Sequence, residues 1–118
     1  MKSKIALYLV GLLLSNIALA GEYSGTITGI GVGQYYDDKC AGSNSCVVIM
    51  VENHHPKSGC RTDSWAYAFD ASTDTGKNTL SLVLAAELSG QKVVIGGTGQ
   101  CTVKASSEDV KYIYHKKW

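Results

Sequence analysis

The four cysteines restrict what this chain can become more than any other residues do. They stand at Cys40, Cys46, Cys60 and Cys101, downstream of an opening with the grammar of an export leader. Met1-Lys2-Ser3-Lys4 is positively charged, Ile5 to Ile17 is apolar but too short to span a bilayer, and Ala18-Leu19-Ala20 is a small-x-small cleavage site. Residues 1–20 therefore read as a signal peptide, which predicts a secreted or periplasmic protein with no membrane span. Residues 21–118 form the mature domain, whose cysteines meet a compartment where disulfides persist. Four cysteines allow three connectivities. Of these we expect Cys40 with Cys46, closing the loop from Ala41 to Ser45, and Cys60 with Cys101, tying the middle of the chain to a late segment. No Cys-x-x-Cys occurs and export favours oxidation, so no metal and no other cofactor is expected.

Taking the leader from the 118-residue chain leaves 98 residues, enough for one hydrophobic core and one domain. Loss of Lys2 and Lys4 reduces eleven basic residues to nine against ten acidic ones, a formal charge of −1. There is no basic excess to hold a phosphate backbone, so nucleic acid is not an expected partner.

Five segments carry strand signals. Tyr23 to Val32 is rich in Thr and Ile but keeps no strict period of two, which predicts a bulge near Gly29. Cys46 to Val51 is a continuous β-branched run, the pattern of a strand covered on both faces. Asp63 to Asp70 alternates Trp65, Tyr67 and Phe69 against small residues, predicting three aromatics on one face. Ser72-Thr73-Asp74 offers a helix N-cap, Leu80, Val83, Leu84 and Leu88 recur at helical spacing, and Gly90 suits a left-handed stop. Lys92 to Ile95 and Val110 to Tyr114 supply the last two strands, with the glycines from Gly96 to Gly99 breaking the chain between them. Three strands, one helix and two strands is the order of the OB-fold, a five-stranded Greek-key barrel with its helix between strands 3 and 4. The expected class is thus mainly β (α+β), with Val48, Trp65, Phe69, Leu80, Leu84 and Ile95 in the core at about 1.5 to 3 kcal/mol each.

Few residues suggest catalysis. His54 and His55 are adjacent beside Pro56, His115 sits in a Lys-rich end, and neither arrangement suits a metal or a general base. Asp37-Asp38 and Glu108-Asp109 fall in predicted loops, where acidic pairs are solvated rather than set facing each other across a substrate. The serines lack a Gly-x-Ser-x-Gly elbow. An enzyme is not expected. Tyrosines are abundant, and rings beside hydroxyl groups offer sugars a flat apolar face and hydrogen-bonding partners. Ser24, Tyr35 and Tyr36 lie outside the evident packing patterns and are the candidate glycan-binding residues.

In order along the chain, Tyr23-Ser24-Gly25, Ile27, Gly33-Gln34, Cys60, Trp65-Ala66-Tyr67-Ala68-Phe69, Ala85, Ser89-Gly90-Gln91-Lys92-Val93-Val94-Ile95 and Cys101 resemble the B subunits of subtilase cytotoxin and of typhoid-type, pertussis-like toxins. That resemblance implies an OB-fold protomer in a homopentamer that binds host glycans, sialylated or related, and carries a separate enzymatic A subunit. It also implies that Ser24, matching a first-strand serine of that family, contacts the sugar. The family has an acidic residue a few positions before this serine on a longer stretch; here only Gly21, Glu22 and Tyr23 stand between the cleavage site and Ser24. The expectation is therefore an exported, non-catalytic glycan-binding B-type toxin subunit. The alternative is a stand-alone monomeric exported domain with a structural or protein-binding role.

Overall fold

The computed structural model describes residues 21–52 and 59–115. The expected leader, His54, His55 and Pro56, and Lys116 to Trp118 lie outside them. Five strands and two helices follow in the order β1 (Glu22–Gly31), α1 (Gln34–Asp37), β2 (Cys46–Val51), β3 (Tyr67–Asp70), α2 (Asp74–Ser89), β4 (Lys92–Gly97) and β5 (Glu108–His115). The strands hydrogen-bond in the order β1-β2-β3-β5-β4, and β4 pairs back onto β1, closing the ring. All neighbours are antiparallel except β3 and β5, which run parallel over only Tyr67–Glu108 and Ala68–Asp109. The register of β1 against β2 shifts between Ile27 and Gly29, where the broken alternation of the sequence calls for a bulge.

The core fills the ring from inside. Ile27, Val47, Ile49, Val51, Tyr67, Phe69, Val93 and Ile95 are buried together, and α2 adds Val83 and Ala86. A second, smaller cluster lies on the other side of β2 and β3: Cys40, Cys46, Val48 and Ala68, with Tyr36, Trp65 and Val103 packed against them. Alternate residues of β2 thus serve two cores, which is why its sequence is apolar throughout. The Cys40–Cys46 disulfide belongs to the second cluster, while Cys60–Cys101 joins residues 41 apart in sequence.

Several expectations change. The third strand begins at Tyr67 rather than Asp63, and the chain before it is irregular, so Trp65 packs in the outer cluster instead of beside Tyr67 and Phe69. A one-turn helix, α1, precedes β2 where no helix was expected. β4 runs on through Gly96 and Gly97. In α2 the Thr73 hydroxyl accepts the Gly76 N–H at 3.0 Å and Gly90 ends the helix at φ 68°, but Leu84 is not core. The buried face centres on Val83, and Leu84 lies about 100° round the axis from it; Leu84 and Leu88 are exposed.

The long disulfide should carry more stability than the short one. In the loop-entropy description a 41-residue separation corresponds to about 4 kcal/mol and a 6-residue separation to about 2. A Cys60→Ala/Cys101→Ala protein should accordingly lose more stability in a urea unfolding titration than a Cys40→Ala/Cys46→Ala protein.

Candidate functional site

Ser24, Tyr35 and Tyr36 do not meet. Ser24 sits near the start of β1, whereas the Tyr36 ring covers Gly31 at its end, and a Cβ at Gly31 would stand 2.7 Å from that ring. Seven residues of strand separate the two positions by about 20 Å. Tyr36 is half-buried, edge-on to Trp65 with centroids 5.5 Å apart, and serves packing. Tyr35 is exposed, with the Lys39 ammonium 4.8 Å above its ring.

Ser24 instead shares a face with residues that the sequence left apart. Its strand pairs with β4, and β4 pairs with β5, so the register sets side chains of three strands in rows on the outer surface. One row is Glu22, Gly96 and Tyr112; the next is Ser24, Val94 and Tyr114; Thr26 and Lys92 follow. The alternate residues Val93, Ile95 and Ile113 point into the core. Because neighbouring strands lie about 4.8 Å apart, the Ser24 and Tyr114 backbones are roughly 10 Å apart across the row.

Glycine at position 96 lets the Tyr112 ring lie on the sheet, since a side chain there would run into the ring. The Tyr112 hydroxyl donates to Glu22 Oε2 at 2.6 Å, fixing the ring from its far end. That bond to a carboxylate, with some desolvation and the charge of Glu22, pushes the Tyr112 phenol up to about 12. Tyr114 lies nearly parallel to it, at 19° and 6.2 Å between centroids. Tyr112 and Tyr114 are 41% and 42% exposed, so the stacked pair presents aromatic surface to solvent on the face that also carries Ser24 and Glu22. On the other side of β5, a groove of about 310 Å³ runs between the strand and α2, with Asn78, Thr79, Leu82 and Lys111 among its walls and Tyr112 on its rim.

In the two acidic pairs Asp37, Glu108 and Asp109 are structural, whereas Asp38 is exposed. Glu108 begins β5 and is buried, with Oε1 3.2 Å from Arg61 Nη1 and Oε2 accepting the Gly99 N–H at 2.9 Å. Arg61 in turn hydrogen-bonds the buried Tyr67, whose phenol desolvation pushes well above its ordinary value. Asp109 accepts the N–H groups of Thr102 and Val103 at 2.8 and 3.0 Å, and Asp37 that of Cys46 at 2.8 Å. Beside them Lys104 bonds Asp63 at 2.8 Å and also Ser106. Burial would raise the Asp63 carboxyl, but Lys104, the Trp65 N–H and Ser106 outweigh it and hold it at about 2. These groups pin the loops around Cys60–Cys101. His115 is exposed at the end of β5. Among the described residues, no group of three or more His, Cys, Asp or Glu is placed to hold a metal ion.

No family model, curated protein or solved structure matches this chain.

The ring of Tyr112 supplies a direct check on this geometry. Followed by the 13C resonance of its ring, Tyr112 should titrate near 12 in the native protein and fall toward about 10 in Glu22→Ala. Gly96→Ala should displace the ring and shift the same resonance without any change of pH.

Proposed function

We propose that this protein is an exported, non-catalytic carbohydrate-binding domain, with its sugar platform on the outer face of β1, β4 and β5. The observation that carries this is the pair of exposed, nearly parallel rings of Tyr112 and Tyr114 beside Ser24 and Glu22. A pyranose presents C–H groups on one face and hydroxyls round its rim. Such a ring can lie on tyrosines and exchange hydrogen bonds with a serine and a carboxylate at the edge. Ser24 keeps its assigned role; Tyr112 and Tyr114 replace Tyr35 and Tyr36 as the stacking rings.

The fold reading that goes with it is an OB-fold, supported by the strand ring β1-β2-β3-β5-β4 and by α2 standing between β3 and β4. Export is supported by two disulfides and by the leader-like first twenty residues. The wider proposal, a B-type toxin subunit in a homopentamer with an enzymatic A subunit, is supported by the ordered residue resemblance from Tyr23 to Cys101. The exposed Leu84 and Leu88 on α2 offer apolar surface that an assembly would cover.

Binding to a glycan array tests the function. Tyr114→Ala should abolish or reduce retention roughly tenfold, and Ser24→Ala should weaken it by about one hydrogen bond, 0.5 to 1.5 kcal/mol, both with unchanged unfolding midpoints. Tyr35→Ala should bind normally. The native mass decides the assembly: a pentamer supports the toxin-subunit reading, and a monomer that binds no glycan supports the stand-alone domain.

A further inference from the structure

Glu22 is the one carboxylate in the row that holds Tyr112. Only one of its oxygens, Oε2, is engaged by that ring. The other oxygen stands at the edge of the platform, where it can accept hydroxyl protons from a sugar lying on the tyrosines. A carboxylate at this place also carries a negative charge beside the bound ring, and a second carboxylate brought in by the ligand would face it across a few ångströms. Among the described residues of these rows the cation is Lys92, two rows away from Glu22, about 13 Å along the strand. Its charge acts on Glu52, whose carboxyl it helps hold below the ordinary value after the hydrogen bonds from the Thr26 N–H and hydroxyl that dominate there. Among the described residues, no lysine or arginine forms an ion pair with Glu22.

Resting on the carbohydrate reading above, we propose that Glu22 is a specificity-determining residue and that the platform selects neutral sugars over sialylated ones. Glu22 orients the Tyr112 ring, accepts hydroxyls of an uncharged pyranose, and repels an anionic sugar placed over the same rings. This differs from the sialylated ligands that the toxin resemblance implies.

The test uses an array of neutral glycans, each paired with the same glycan capped by sialic acid, probed with the intact protein, Glu22→Gln and Tyr114→Ala. The Gln amide oxygen can still accept the Tyr112 hydroxyl, so this variant removes the charge while keeping the ring in place. The native protein should retain the neutral member of a pair about three- to tenfold better, and Glu22→Gln should close most of that gap. High salt should narrow the gap in the native protein as well. Equal or stronger retention of the sialylated members by the native protein overturns the proposal while leaving carbohydrate binding standing, as does a gap that Glu22→Gln leaves unchanged. No retention of any glycan, or retention that Tyr114→Ala does not alter, defeats the carbohydrate reading itself.

Discussion

The pairing of β4 between β1 and β5 is the constraint on which the candidate site depends. It closes the ring, buries Val93 and Ile95 in the core and, by the same alternation, puts Val94 and Gly96 on the outside. Glu22, Gly96 and Tyr112 become neighbours although Glu22 and Tyr112 are 90 positions apart along the chain. A slip of one residue between β4 and β5 would send Tyr112 and Tyr114 into the core and bring Ile113 to the surface, and one between β1 and β4 would turn Glu22 and Ser24 inward. The site is thus as secure as the interior packing that fixes this register.

That interior is stiffened from two sides. Inside, Tyr67, Ile49 and Ile95 are fully enclosed, and the Tyr67 hydroxyl is met by Arg61. Arg61 is paired with Glu108, which also holds the Gly99 N–H and so anchors the start of β5 against the loop after β4. Breaking this pair from one side would leave a buried charge without its counterpart, a costly state. The Cys60–Cys101 bond ties the same two loops covalently. Ion pair and disulfide together locate β5, and β5 carries both rings of the platform.

Much of the fold was legible because its signals are local. The hydrophobic run of β2, the bulge in β1, the Thr73 cap and the Gly90 stop each follow from residues within one turn or strand, and the two disulfides agree with the pairing expected from the cysteine positions. What the sequence obscured depends on distant partners. Trp65 obeys the alternation of Tyr67 and Phe69, yet β3 has not begun at that point, so its side chain turns to the cluster under α1. Leu84 and Leu88 match helical spacing, but the helix faces the sheet through Val83 and Ala86. Glu108 and Asp109 look like loop acids until Arg61 and the Thr102 and Val103 N–H groups surround them. Val110 to Tyr114 reads as a strand from its sequence; that the face carrying Tyr112 and Tyr114 also carries Ser24 is fixed only by the pairings through β4. Conversely, Tyr35 and Tyr36 are near Ser24 in sequence and stand at the far end of an extended strand.

The central claim is that the Tyr112 and Tyr114 rings, set by this register, are where a sugar lies. Its most direct measurement is a ring-selective 13C NMR titration of the intact protein with the best-retained glycan from an array. The account predicts saturable shifts at Tyr112 and Tyr114, with Tyr35, Tyr36 and the buried Tyr67 unmoved. Shifts confined to Tyr35 and Tyr36, or no ring movement with any glycan, would contradict it.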